Sequence, residues 1–101
     1  MQLARVVGTV VSTRKDPRVE GMKLLIVKLI RPDGVELDDY QVAVDTVDAG
    51  FGEVVLMAAG SSARMAEGCG DRPVDRSIVG VVDTIDFLDG ELPARLKQKK
   101  T

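Results

Sequence analysis

The side chains able to do chemistry in this 101-residue chain are few and thinly partnered. Asp45 and Asp83 each close an apolar run, and carboxylates so placed admit two readings: acid-base work, or hydrogen bonding in turns and at interfaces. The chain has no histidine to serve as a general base. Its one thiol, Cys69, stands between Gly68 and Gly70 with no neighbour in sequence to activate it. Turn and interface roles are therefore expected for the two aspartates. Asp45, Arg64 and Asp75 could converge where subunits meet, but an interfacial enzyme would still lack an activated nucleophile. With no histidine, one cysteine and no Asp/Asn ladder at calcium-loop spacing, no metal and no cofactor are expected. Gly8 and Gly50-Phe51-Gly52 do not fit a dinucleotide fingerprint and are read as turn or strand-bend glycines.

The elements that must position these residues are strands. Val- and Ile-rich segments bounded by Gly, Pro or Asp run at about Leu3 to Ser12, Lys23 to Ile30, Leu37 to Val44, Glu53 to Ala59 and Ile78 to Phe87. Arg31-Pro32-Asp33-Gly34 has the composition of a hairpin turn. Between the fourth and fifth strands, Ser61 or Ser62 could cap one or two helical turns over Ala63 to Glu67. The pattern predicts an all-β fold, a small five-stranded OB-like barrel with one short helix. Val6-Val7, Val10-Val11, Leu24 to Val27, Val54 to Met57 and Val81-Val82 put apolar side chains on both strand faces. One barrel interior cannot hold them all, so the second face is expected to meet another subunit.

Bulk properties narrow the function classes. A chain of this length holds one domain, drawn here as residues 1–90, followed by a basic tail, 91–101, expected to be a flexible end. The formal net charge is -2, from 14 basic and 16 acidic side chains. Four of the basic ones, Arg95, Lys97, Lys99 and Lys100, lie in that tail, which leaves an acidic body. Nucleic-acid binding needs basic charge over the folded face and aromatic platforms. Only Tyr40, Phe51 and Phe87 are aromatic, and they fall in different segments. A single-stranded nucleic-acid module of the OB type is thus the alternative reading, with no nucleic-acid partner expected. No apolar run reaches the ~20 residues that a membrane-spanning helix needs. The opening residues lack a secretory plan, so no membrane contact and a cytoplasmic location are expected.

Seven pieces of the chain, taken in order, point further: Arg5 to Lys15 (RVVGTVVSTRK), Gly21 to Leu25 (GMKLL), Val42 to Asp45 (VAVD), Ala49 to Val55 (AGFGEVV), Gly60 to Arg64 (GSSAR), Pro73 to Asp75 (PVD) and Ile78 to Asp83 (IVGVVD). In register, over residues 3 to about 86, they resemble the EutN/CcmL family of bacterial microcompartment vertex proteins. One departure stands out: Asp48 occupies a place where the family usually has glycine, and Asp tolerates a positive φ better than most residues. The resemblance implies a structural, non-enzymatic shell protein. Its copies would form a homopentamer, with hexameric and trimeric shell proteins as its other partners. Tiles of sixfold symmetry make flat sheets, so a closed polyhedron requires fivefold units at its corners. The same resemblance places Ser61, Ser62, Ala63 and Arg64 near a fivefold axis, and Asp45, Arg64, Asp75 and Asp83 are the candidates for the subunit interface. Five copies of Arg64 would favour anions at the opening, unless Arg64 is paired with Asp45 or Asp75 across the contact.

Overall fold

A computed structural model describes residues 1–13, 17–19, 21–66, 69, 74–87 and 90–93, without the side chains of residues 19, 61, 62, 64, 87 and 90–93. Seven strands lie among the described residues: β1 Gln2–Val10, β2 Leu24–Ile30, β3 Glu36–Asp45, β4 Val54–Ala59, β5 Arg76–Val82, β6 Thr84–Phe87 and β7 Gly90–Pro93. The first five close into a barrel in the order β1-β2-β3-β5-β4, and β6 and β7 form a separate two-stranded ribbon. All pairings are antiparallel except the β3–β5 seam, which is parallel and only two residue pairs long, Val44 with Ser77 and Asp45 with Ile78.

Alternation explains the interior. Ala4 and Val6 of β1, Leu25, Val27 and Leu29 of β2, Ala43 of β3, Val55 and Met57 of β4 and Ile78 of β5 point inward and share one buried cluster with Ala49. Irregularities keep that phase where the strands curve: the register of β1 on β2 shifts between Val6 and Gly8, and that of β4 on β5 between Leu56 and Met57. The β2–β3 hairpin turn sits where the Arg-Pro-Asp-Gly composition puts it. Gly34 N–H donates to Arg31 O at 2.8 Å, and Gly34 has φ 89°, a backbone state open to glycine at little steric cost.

Three expectations need correction. The fifth strand is not continuous from Ile78 to Phe87: it breaks at Asp83, and β6 turns away to pair with β7 instead of staying in the barrel. Chain pairing therefore extends to Pro93, beyond the residue-90 boundary drawn from composition; residues 94–101 lie outside the described residues. The short helix is a 3₁₀ helix over Gly60–Met65, not a helical turn started by a serine cap. Gly60, at φ 63°, turns the chain straight out of β4, so the cap position falls on Ala59, whose methyl group cannot accept a hydrogen bond. Finally, the second apolar face is not left wholly to other subunits. At one end of the barrel Ala63, Cys69 and Val74 cover Val44 and Leu24. At the other end Ile85 of β6 packs over Ile30, Val54, Leu3 and Val82.

Met57, fully buried at the centre of the barrel, is a large side chain that nothing can collapse to replace. Met57→Ala is expected to lower unfolding free energy by about 2–5 kcal/mol, read from the midpoint of a urea titration at unchanged slope.

Candidate functional site

The end of the barrel where β3 and β4 finish and β5 begins gathers most of the residues singled out by the sequence. Asp45 is the last residue of β3 and is paired with Ile78. Its carboxylate is wholly enclosed by its own chain: one oxygen accepts the Val47 N–H at 3.0 Å, the other accepts the Ala49 N–H at 2.8 Å, and Lys23 Nζ lies 3.5 Å away. Of the two roles open to it, Asp45 thus plays the turn role, folding the loop back so that Ala49 reaches the barrel core. This carboxylate is not presented to a neighbouring subunit. Lys23 also donates to Asp48 at 3.0 Å, and Asp48 adopts φ 56°. The aspartate that departs from the family pattern therefore sits in the left-handed backbone state that glycine would favour, and its side chain anchors the lysine.

Asp75 lies on the same end. Its carbonyl accepts the Gly60 N–H at 2.9 Å, which fixes the start of the 3₁₀ helix against β5, while its carboxylate faces solvent. Asp75 lines an open groove with Leu24, Val42, Val44, Val74 and Arg76; Asp45 is not on its wall. Ala63 is buried beneath the helix, and its carbonyl accepts the Ser77 hydroxyl at 2.7 Å. Ser61, Ser62 and Arg64 share that helix, and their side chains are outside the described residues. Asp83 stands apart. It follows Val82 at the far end of β5, roughly eight strand residues or about 26 Å along the strand from Asp75.

The structure therefore brings Asp45, Asp75 and the Gly60–Met65 helix to one end and places Asp83 at the other. It gathers no acid-base pair from them. Cys69 is buried with its sulfur 3.7 Å from Ser77 Oγ, part of the packing under the helix. Among the described residues no group of three metal-ligating side chains comes together. Tyr40 lies on the outer face of β3 with Lys28 Nζ 5.3 Å from its ring centroid, while Phe51 is exposed in the loop before β4. The two rings do not form a stacking platform on one strand face.

Sequence reasoning missed Arg5. This arginine reads as a surface cation on β1, yet it is 4% exposed and its guanidinium is ion-paired with Glu36 at the start of β3, with Lys28 Nζ 3.4 Å from the same carboxylate. The alternation gave no signal of this, since Arg5 lies between inward-facing Ala4 and Val6 and so belongs to the outer face.

The family model described as "Ethanolamine utilisation protein EutN/carboxysome" matches residues 1–83. The chain belongs to the EutN/CcmL family. It is 51% identical over 92 residues to a carboxysome shell vertex protein, CcmL, of Synechocystis sp., a match that spans 91% of this chain and 92% of the relative. A solved structure of a carboxysome subunit, CcmL, superposes with a TM-score of 0.87 at 50% identity, over 90% of this chain and 95% of that one. The pentameric microcompartment shell protein GrpN of Rhodospirillum rubrum superposes with a TM-score of 0.81 at 42% identity, over 87% of this chain and all of GrpN. The OB-like barrel expected from the strand pattern is the EutN/CcmL fold.

The Asp45–Lys23–Asp48 clamp yields two linked expectations. Asp45→Ala strands two backbone donors and should cost about 1–3 kcal/mol in urea unfolding. The hydrogen bond to Asp48, aided by the charges of Asp48 and Asp45 and opposed by partial desolvation, raises the Lys23 pKa above 10.5. A group raised on folding stabilises fully below its unfolded value, so the clamp's contribution should be constant at neutral pH and fade as pH climbs past that raised pKa. A pH series of wild type and Lys23→Met should converge only in that alkaline range.

Proposed function

We propose that this chain is a vertex subunit of a bacterial microcompartment shell: five copies form a ring that caps a corner of the polyhedron, in the cytoplasm, within the shell. The observation that supports this most is the near full-length similarity to shell vertex proteins of known structure, one of them pentameric. The barrel fits the role. A rigid closed sheet gives each copy a fixed wedge, and a head-to-tail contact whose rotation closes after five copies supplies the fivefold unit that flat tiles lack. The partners in this reading are the chain itself and the hexameric and trimeric tiles around it.

The work is mechanical, and the placement of the ionisable groups agrees: Asp45 and Arg5 are committed to holding the fold, Cys69 is buried, and Asp83 is remote from the rest. In the ring, Ser61, Ser62 and Arg64 on the Gly60–Met65 helix are the residues we place nearest the fivefold axis. Ala63 supports them from below instead of lining an opening, because it is buried in its own subunit. Exposed Asp75 and Asp83 remain candidates for subunit contacts, with Arg64; enclosed Asp45 does not. The basic residues beyond Pro93 are read as a solvated end that closure does not require.

The purified protein should register in native mass spectrometry at five times 10.9 kDa. Co-expressed with hexameric tile proteins, it should convert open sheets or tubes into closed polyhedra seen by electron microscopy. A monomer, or tiles that close equally well without this chain, would sink the reading.

A further inference from the structure

Arg5 is a charged side chain only 4% exposed, and its ion pair uses only one part of the guanidinium. Nη1 is paired with Glu36. Nε and Nη2, which lie together along one edge, are buried and have no hydrogen-bond partner among the described residues. An unmatched donor in the interior is costly, more so on a charged group. The pairing with Glu36 thus holds Arg5 in the fold but does not satisfy this edge.

The surroundings are short of negative charge. On the outer face Arg5 stands between Lys28 of β2 and Val54 of β4, and Val54 lies under Ile85 of the β6–β7 ribbon. Lys28 Nζ is 3.4 Å from the Glu36 carboxylate and 5.3 Å from the Tyr40 ring centroid. Two cations therefore share one carboxylate. The other described acids of β3, its hairpin and the ribbon are engaged elsewhere or face solvent: Asp33 pairs with Arg31, Asp39 accepts the Gln41 side chain, and Asp38 and Asp86 are exposed.

The edge also has a chemical preference. Its two N–H bonds run parallel and match the two oxygens of a planar carboxylate or bicarbonate. One negative charge balances the excess cation, whereas a doubly charged phosphate would be set against Glu36 and chloride cannot span two donors. The Lys28 and Glu36 side chains are each 24% exposed, so solvent reaches this cluster. The ribbon pairs with no barrel strand and can shift to admit a small molecule without breaking the barrel's ladders.

We infer that the Nε–Nη2 edge of Arg5, between Lys28 and the β6–β7 ribbon, binds a small planar monoanion of the carboxylate type. Such a site lies within one subunit and stands whether or not the vertex reading holds.

The test is a titration of the wild-type protein in which sodium acetate replaces sodium chloride at constant ionic strength and pH, followed by NMR at the Arg5 Nε–H resonance. That resonance should move downfield and saturate at millimolar acetate. Acetate should also raise the urea midpoint of the wild type, by mass action on the folded state. Arg5→Lys keeps the charge but lacks the edge, so it should need roughly tenfold more acetate, or still more, for the same rise. Glu36→Gln removes the competing charge and should bind acetate roughly threefold tighter or better. An Nε–H that acetate leaves unmoved, or an equal acetate response in Arg5→Lys, would overturn the inference. A wild type that does not respond while Asp89→Asn/Glu91→Gln does would show that the chain's own acids hold the edge, and would overturn it equally. If Arg5→Lys fails to fold, the wild-type titration decides alone.

Discussion

The barrel closes through a short parallel seam between β3 and β5, and the rest of the molecule is arranged around how little chain makes it. Two residue pairs, with the Thr46 hydroxyl and N–H both donating to the Ile78 carbonyl, join a three-strand meander to the β4–β5 hairpin. A contact so small holds only if both of its strand ends are fixed. On the β3 side Asp45 does this by binding the two backbone donors that follow it. On the β5 side Ser77 is tied to Ala63, and Asp75 to Gly60. The loops at this end are therefore braces for the seam, and their polar residues serve the closure of the barrel before anything else.

The short seam also accounts for the shape of the outer surface. Because β5 begins beside the last residues of β3, no described strand pairs with the earlier part of β3 on that side. Because β5 ends at Asp83, the chain leaves the barrel as the β6–β7 ribbon and lays Ile85 over one apolar sector. Ala63 of the Gly60–Met65 helix, with Cys69 and Val74, covers another. The chain thus covers two apolar sectors of its own outer face.

Much of the fold was legible because β-strands announce themselves by composition and alternation, and five runs bounded by turn residues allow few closed arrangements. The hairpin at Arg31 to Gly34 was readable for the same local reason. What resisted was anything decided by a single residue between elements. Val-Val-Asp-Thr-Ile reads as one strand until the backbone departs at Asp83, and no periodicity marks a point where a strand changes sheets. The serine cap failed because a glycine with positive φ, not a side-chain acceptor, starts the helix. Arg5 was hidden because its partner, Glu36, lies 31 positions later in the sequence. The site residues show the same division: Asp45 could be read as a turn residue from its place after an apolar run, but whether Asp75 and Asp83 share a surface depended on the length of β5.

The seam carries a further consequence for how the chain reaches this state. β1, β2 and β3 are joined by nearby segments, and β4 and β5 flank the short helix, so both halves can form from local contacts. Val44 and Ser77 lie more than thirty positions apart, and their pairing must absorb the entropy of closing that loop for very few bonds in return. The seam is then the late event in folding, and until it forms the last two residues of β3 also lack a strand partner on that side. Newly made chains would pass through a species whose barrel is not yet closed, so the rate of seam closure, set against the concentration of nascent chains, decides how many subunits are available to build a ring.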